Sequence, residues 1–347
     1  MKHIPLALAM LALAACSGAG KAAAPIPPGD IVTAAEVEVI ESLPTVTPAS
    51  NPAPTPTASP TVAISPTPIP TPAVTSTRPV PTPLPTDQRR YNLCVGIASD
   101  SNGYGHVTFE VPGGEVAIVY ITPLWVPLQE HLKALGLSYL EVRDRSLSAG
   151  GLTIRSANYR ASDQYYLLRR DACQFIIVTP FYPDVAVDLA TPEYYVENLR
   201  LFVDETTRAA PESTLLILNF YQTDRAAFTV NNMGRGLRPE RIAAFNRALA
   251  DACAEGGVLA AYEQVRCVDI RPFFEDLGAG HVLGLTTREE FEAMLWRETG
   301  YTPAIWAYFE QHPDGTITGD GVHLSLAGRD RLAAGLARLI LELSAGP

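Results

Sequence analysis

The sequence predicts an α/β protein whose central sheet is parallel and covered by helices on both faces. Three observations point to this fold class. From residue 89 onward, short apolar runs alternate with longer segments of helical periodicity. The short runs are rich in Ile, Val and Leu, which is typical of strands buried on both faces. Apolar residues make up 47% of the 347 residues and charged residues 18%, so a large domain can bury its core.

Five strands are predicted in the domain, which extends over 88–347. They are short runs of branched apolar residues at 93–98, 138–142, 175–178, 214–219 and 265–270. Apolar residues at helical spacing predict helices at 124–135, 157–170, 194–210, 239–255 and 326–343. One segment breaks this alternation, because 107–121 contains two apolar runs around Pro112, Gly113 and Gly114. We expect a β-hairpin there, inserted after the first strand.

Residues 1–15 have the pattern of a signal peptide. Lys2 and His3 precede an apolar stretch over 4–15, which is too short to span a bilayer. Small residues then lead into Cys16, as they do at the lipidation site of bacterial lipoproteins. We therefore expect Cys16 to be diacylated and to anchor the chain in a membrane, outside the cytoplasm. The alternative is an ordinary secretory peptide in which this cysteine is accidental.

Residues 16–87 are expected to be a disordered tether that follows the lipidated cysteine. Seventeen of the 30 prolines lie in 25–85, and Arg78 is the one charged residue in 42–86. A chain of Pro, Thr, Ala, Ser and Val cannot bury a core and favours extended polyproline II conformations. At about 3.1 Å per residue, the 45 residues of 42–86 reach on the order of 100 Å.

The charge balance argues against nucleic acid as a partner. The chain has 37 acidic and 26 basic residues, a net charge of −11 at pH 7. It therefore offers no broad basic surface to phosphate backbones. The sequence contains neither a zinc motif nor a phosphate-binding glycine motif, and we expect no metal and no other cofactor.

The four cysteines after Cys16 predict two disulfides. Cys94 and Cys173 each lie near the start of a predicted strand, so they are side by side if the first and third strands are neighbours. Cys253 ends a predicted helix and Cys267 lies in the strand that follows. We expect the pairs Cys94–Cys173 and Cys253–Cys267, with buried free thiols as the alternative for the first pair.

Two short segments carry residues with catalytic chemistry. Ser101 lies on the turn that leaves the first strand, and ligands of parallel sheets bind beyond the carboxyl ends of the strands. Asp320 and His323 lie just before the last helix. An aspartate three residues before a histidine can hold the imidazole in one tautomer, and that imidazole can activate a serine.

These segments resemble the first and last sequence blocks of the SGNH, or GDSL-type, hydrolase family. The first block, usually Gly-Asp-Ser with a glycine soon after, reads Ser99-Asp100-Ser101 here. The last block, Asp-x-x-His, is matched by Asp320 and His323. The resemblance covers about 93–343 and implies a flavodoxin-like three-layer α/β/α sandwich with a five-stranded parallel sheet. It also implies ester hydrolysis, with Ser101 as nucleophile, His323 as general base and Asp320 orienting the imidazole.

The resemblance further implies an oxyanion hole with three donors. These are the Ser101 N–H, a glycine N–H after the second strand and an asparagine side chain after the third. Gly150 fits the glycine, with Gly151 as the adjacent alternative. The third block departs from the family's Gly-x-Asn-Asp, because 179–184 contains no asparagine. Asn219, at the end of the fourth strand, is a candidate replacement, with a structural cap as the alternative.

The sequence therefore predicts a lipid-anchored extracytoplasmic serine esterase acting on acyl esters, with O-acetylated carbohydrate as one candidate substrate. Two other functions stay open. An acyltransferase would use the same serine chemistry with a sugar hydroxyl in place of water. A carbohydrate- or wall-binding module would be a hydrolase fold that has lost its activity, although the presence of Ser101, Asp320 and His323 together favours an enzyme.

Overall fold

The structure is a computed structural model that describes residues 92–113, 115–146, 153–154, 163–186, 190–223 and 237–345. The chain divides into two units, Met1–Thr71 and Pro72–Pro347, and every described residue belongs to the second. The predicted signal peptide, Cys16 and the tether up to residue 87 lie outside the described residues. Among the helices of the described segments, none has both the length and the apolar character that a bilayer-spanning helix needs.

The predicted five-stranded parallel sheet is confirmed, and it forms the centre of the fold. Its strands are β1 (Cys94–Ala98), β4 (Glu141–Asp144), β5 (Phe175–Val178), β6 (Thr214–Leu218) and β7 (Val265–Val268). They lie side by side in the order β4-β1-β5-β6-β7. Every residue of β1 and β5 is buried. This burial explains why these strands are continuous apolar runs, without the alternation of a half-exposed strand.

Helices on both sides of the sheet complete three layers. The helices of the described segments, numbered along the chain, are α1 (Ser101–Tyr104), α2 (Trp125–Ala134), α3 (Asp163–Asp171), α4 (Tyr182–Ala186), α5 (Pro192–Ala209), α6 (Pro239–Cys253), α7 (Arg288–Met294), α8 (Thr302–Gln311) and α9 (Leu326–Ser344). α2 packs against α9 on one side of the sheet, while α5 packs against α3 and α6 on the other.

β4, which is the second strand of the parallel sheet along the chain, begins later than predicted. The sequence predicts a strand at 138–142, whereas β4 begins at Glu141. Leu137 and Leu140 are buried, but they belong to a turn in which the Leu140 N–H donates to the Leu137 carbonyl oxygen at 3.0 Å. An apolar turn can therefore have the amino-acid composition of a strand, although its backbone is not extended.

A second, antiparallel sheet contains the predicted hairpin and three strands that the sequence did not predict. Its order is β8-β10-β2-β3-β9. The hairpin comprises β2 (His106–Val111) and β3 (Glu115–Ile121), and the added strands are β8 (Leu285–Thr287), β9 (Leu295–Arg297) and β10 (Thr316–Gly319). This sheet packs on α7 and α8 around a separate apolar core that includes Phe109, Phe291 and Phe309.

Both predicted cysteine pairs are disulfides in the structure. Cys94 bonds to Cys173 across a sequence separation of 79 residues, linking β1 to the residues just before its neighbour β5. Cys253 bonds to Cys267, which links the end of α6 to β7 at the edge of the parallel sheet. The two cross-links thus connect elements that the sheet topology already places together.

Candidate active site

The turn after β1 positions Ser101 at the carboxyl end of the parallel sheet. Asp100 caps α1, because its Oδ1 accepts the Asn102 N–H at 2.8 Å. Ser99 Oγ accepts the Gly103 N–H at 2.9 Å. A Cβ atom on Gly103 would lie 2.5 Å from Ser99 Oγ, so the turn closes this tightly only with glycine there.

The structure brings the three predicted catalytic residues into one hydrogen-bonded line. His323 Nε2 lies 2.9 Å from Ser101 Oγ, although the two residues are 222 positions apart. His323 Nδ1 lies 2.5 Å from Asp320 Oδ2. In this arrangement the Nδ1–H donates to the carboxylate and Nε2 accepts from the serine hydroxyl. The line has the form of a nucleophile, a base and an orienting carboxylate.

The Asp320 carboxylate is held from several directions. Its Oδ1 accepts the N–H groups of Val322 and His323 at 3.0 and 2.9 Å, and its Oδ2 accepts the Thr108 N–H of β2 at 3.2 Å. Burial opposes ionisation of this carboxyl, but the charge of His323 and these hydrogen bonds outweigh burial and lower its pKa. Asp320 is therefore kept ionised, as an orienting carboxylate must be.

Tyr221, just after β6, connects the serine turn to the histidine turn. Its hydroxyl lies 2.7 Å from Asn102 Oδ1 and 2.9 Å from the carbonyl oxygen of Val322, the residue before His323. Asn102 is adjacent to Ser101 in the chain, and Val322 is adjacent to His323. The Tyr221 hydroxyl thus fixes the spacing between the two turns, a role that the sequence analysis did not predict.

Two buried carboxyl groups, those of Asp100 and Asp184, lie near the turn that carries Ser101. Burial raises the pKa of Asp100, although the Asn102 N–H and the charge of His323 act in the opposite direction. Burial also raises the pKa of Asp184 to about 7, against the hydrogen bond from the Ile154 N–H to its Oδ2 at 2.7 Å. The charge of Asp100 adds to this rise, so the two carboxyl groups disfavour each other's ionised forms.

A buried arginine lies behind the histidine turn. Arg329 has no exposed surface, and its Nε donates to the Leu324 carbonyl oxygen at 3.2 Å. Burial lowers its pKa to about 10, against the favourable charges of Asp320, Asp144 and Asp100. This cation therefore offsets part of the negative charge that the carboxylates bring into the interior.

The predicted oxyanion donors have three different outcomes. The Ser101 N–H is at the first position of α1 and donates to no other described residue, so it is available to a ligand. Gly150, and Gly151 beside it, lie outside the described residues. Of the two roles considered for Asn219, its contacts fit the structural one: its Nδ2 donates to Asp269 Oδ1 at 2.8 Å and its Oδ1 accepts the Ile270 N–H at 3.0 Å. Both ends of its amide hold the segment after β7, which is a structural role.

Thr179 and Tyr182, which lie in the segment 179–184 that corresponds to the third block, form hydrogen bonds to other residues of the protein. The Thr179 hydroxyl donates to Ser99 Oγ, and the Tyr182 hydroxyl donates to the Tyr221 carbonyl oxygen at 2.7 Å. These side chains therefore brace the turn that carries Ser101. Within the described segments, no group of three His, Cys, Asp or Glu side chains is arranged to hold a metal ion.

No family model and no curated protein matches the chain, but several solved structures resemble it. A lipase/acylhydrolase from Enterococcus faecalis is 16% identical over 72% of this chain and 96% of its own, with a TM-score of 0.43. A carbohydrate acetylesterase from Sinorhizobium meliloti is 14% identical over 72% and 99%, with a TM-score of 0.44. A family 3 carbohydrate esterase from Clostridium thermocellum is 15% identical over 73% and 98%, with a TM-score of 0.41.

The chain has a three-layer fold around a five-stranded parallel sheet, and its segments around Ser101 and His323 resemble the first and last sequence blocks of the SGNH/GDSL family. The fold is evident from the parallel sheet and its two helical layers. The blocks are those that place Ser101, Asp320 and His323 together.

The Tyr221→Phe variant should separate positioning from stability. Removal of its hydroxyl leaves Asn102 Oδ1 and the Val322 carbonyl without this donor and frees the two turns to move apart. We expect the turnover number of ester hydrolysis to fall roughly tenfold and the free energy of unfolding to fall by about 1–3 kcal/mol. The control is Thr207→Val, which removes a buried hydroxyl bonded to the Val203 backbone oxygen within α5, away from the triad. Equal losses of turnover in the two variants would contradict a positioning role for Tyr221.

The Asp184→Asn variant should change how stability depends on pH. The unfolded carboxyl has a pKa of about 4, whereas the folded one titrates near 7, so the native state retains a proton that the unfolded state loses. The free energy of unfolding should therefore decrease as pH rises from about 4 through 7. Urea denaturation at about pH 5 and about pH 8 should show a smaller decrease in Asp184→Asn than in the parent protein. Exposed Asp314→Asn should retain the parent's decrease, and an unchanged decrease in Asp184→Asn would refute this assignment.

Proposed function

We propose that the protein is a serine esterase of the SGNH/GDSL type that hydrolyses acyl esters through an acyl-enzyme. One observation carries this proposal: Ser101, His323 and Asp320 form an unbroken hydrogen-bonded line at the carboxyl end of the parallel sheet. A buried, ionised aspartate next to a histidine that accepts from a serine hydroxyl is arranged for nucleophilic catalysis. A passive binding module has no need of that geometry.

The acylation half-reaction follows from the same contacts. As Ser101 Oγ attacks the ester carbonyl carbon, its proton moves to His323 Nε2, which lies 2.9 Å away. Asp320 stabilises the resulting imidazolium through Nδ1, and the Ser101 N–H donates to the carbonyl oxygen as it becomes negative. When the intermediate collapses, the C–O bond to the alcohol breaks. The alcohol leaves with the proton from Nε2, and the acyl group stays on Ser101.

The deacylation half-reaction reverses these roles. A water molecule gives a proton to His323 Nε2 while its oxygen attacks the acyl carbon. Collapse of the second intermediate returns the proton to Ser101 Oγ and releases the acyl group as a carboxylic acid. We propose an acylated carbohydrate as the substrate, which is the candidate that the sequence predicts.

Labelling with a fluorophosphonate probe tests the proposed chemistry directly. The probe should attach to Ser101, and Ser101→Ala, His323→Ala and the double variant should all reduce hydrolysis of acetylated glucose to the same low rate. Residues that act as one unit do not lose activity additively. Asp320→Asn should be severely impaired because the imidazolium loses its charged partner.

A second serine provides the matched control for this experiment. Ser138 is exposed and lies outside the site, so Ser138→Ala should keep both the label and full activity. Full activity in Ser101→Ala, or labelling at another residue, would remove the nucleophile assignment. Absence of any label in the folded protein would favour a binding module over an enzyme.

We also propose that Cys16 is lipidated and that 16–87 tethers the domain outside the cytoplasm. The support is the sequence pattern, in which small residues precede Cys16 and a Pro- and Thr-rich segment follows it. Two acyl chains on one residue are sufficient for stable membrane anchoring, whereas one chain binds only marginally.

The Cys16→Ser variant should release the protein from membranes. We expect the parent to enter the detergent phase in a phase-partitioning assay and the variant to remain in the aqueous phase. Replacement of Ser17 by Ala is the control, because it changes the next residue without removing a thiol. Equal partitioning of the parent and Cys16→Ser would show that Cys16 is not the anchor.

A further inference from the structure

Arg297 lies near α1, the nucleophile helix that begins at Ser101, and this arginine has no acidic partner among the described residues. Arg297, the last residue of β9, is exposed, and its Cζ lies 4.3 Å from the centre of the Tyr120 ring. Elsewhere in the described segments, arginines such as Arg145 and Arg271 pair with carboxylates. No described carboxylate pairs with Arg297, although acidic residues outnumber basic ones in this chain.

Ring contacts connect Arg297 to the nucleophile helix. The Tyr120 ring meets the Tyr104 ring edge-on, with their centres 5.7 Å apart. Tyr104 ends α1, which begins at Ser101. Residues three positions apart on a helix share one face, so the Tyr104 ring and the Ser101 hydroxyl lie on the same side of α1. A row of two rings, Tyr104 and Tyr120, therefore extends from the helix that begins at Ser101 to Arg297.

The position of the row is fixed by a close contact between α1 and β3. The Ile121 N–H donates to the Gly105 carbonyl oxygen at 2.9 Å. Gly105 has a φ of 84°, and a Cβ atom there would lie 2.3 Å from the Ile121 carbonyl oxygen. The contact therefore requires glycine. Tyr120 precedes Ile121, so the aromatic support of Arg297 is held in fixed register with the end of the nucleophile helix.

The pairing of β3 with β9 is irregular beside this arginine. Tyr120 pairs with Arg297 and Ile121 pairs with Leu295, which leaves Trp296 as an extra residue in the ladder. Bulges of this kind re-aim side chains and are common next to active sites. Trp296 is 53% exposed and meets the Trp125 ring edge-on, so it adds aromatic surface near the same strand end.

The chemistry of these residues indicates an anionic sugar. A guanidinium stacked on an aromatic ring is held in orientation, and its planar N–H groups can bind both oxygens of a carboxylate or phosphate. The rings of Tyr104 and Trp296 offer flat apolar surface of the kind that packs against a sugar ring. We propose that Arg297 binds an acidic group on the substrate, so that the site takes acyl esters of anionic carbohydrates. This assignment of the substrate rests on the proposed esterase function.

Binding to the Ser101→Ala protein tests the proposal without turnover. The probes are acetylated glucuronic acid, acetylated glucose 6-phosphate and neutral acetylated glucose, measured by calorimetry. At least one anionic probe should bind roughly tenfold or more tightly than the neutral one, as expected for a charge-assisted pair. The two anionic probes distinguish carboxylate from phosphate recognition. The preference should weaken between about 0.05 M and about 0.5 M salt, since Arg297 is exposed.

Variants in the same Ser101→Ala background assign the preference to Arg297. Arg297→Gln should remove it, and Arg297→Lys should retain part of it because the charge remains while the planar fork is lost. The control is Arg338→Ala on α9, an exposed arginine away from the rings, which should leave the preference intact. A melting curve of each variant confirms that it is folded, and Arg297→Lys carries the test if Arg297→Gln is unfolded.

The outcomes separate this proposal from the esterase proposal. Equal binding of anionic and neutral probes, binding of none, or a preference that survives Arg297→Gln would overturn the assignment of Arg297. An anionic preference in a protein that neither reacts with the fluorophosphonate nor hydrolyses the probes would support Arg297 while overturning the esterase. Wild-type kcat/KM values should follow the binding order, with the anionic preference expressed mainly in KM because the acidic group lies away from the reacting carbonyl.

Discussion

The geometry of the site depends on the Asp320 carboxylate more than on any other group. It accepts hydrogen bonds from His323 and Val322 in its own turn, and from Thr108 in a strand of the antiparallel sheet. Ser101 lies on the turn that follows β1 of the parallel sheet. The line from serine to aspartate therefore crosses from one sheet to the other, and it forms only when the two are correctly packed. The antiparallel sheet contributes directly to the site through the Thr108 N–H.

Three buried carboxyl groups and one buried guanidinium lie in the interior near the site. Asp100 and Asp184 are held toward their neutral forms by burial, while Asp320 is held ionised by its donors. Arg329 supplies a buried positive charge that interacts with Asp320 and Asp100. Carboxyl groups in different environments thus differ in their readiness to ionise, which is how one site can contain several acids but only one orienting carboxylate.

The sequence predicted the parallel sheet well because its strands are buried on both faces and therefore recognisable as apolar runs. It predicted Ser101, Asp320 and His323 because each lies in a short local motif. It did not predict β8 and β9, which have three residues each and form only by pairing with distant strands. Tyr221 and Thr108 were missed for the same reason, since their partners lie 101 or more positions away and nothing local distinguishes them.

The separation of 222 residues between the serine and its base has a consequence for synthesis of the chain. Ser101 is made early, but its proton acceptor arrives only when His323 has been added. At the usual rates of translation, roughly 10 to 45 s pass between the two. During that interval Ser101 lacks the imidazole that accepts from its hydroxyl, so the nascent chain cannot yet form the line from Ser101 to Asp320. The line therefore forms only after nearly the whole chain has been made.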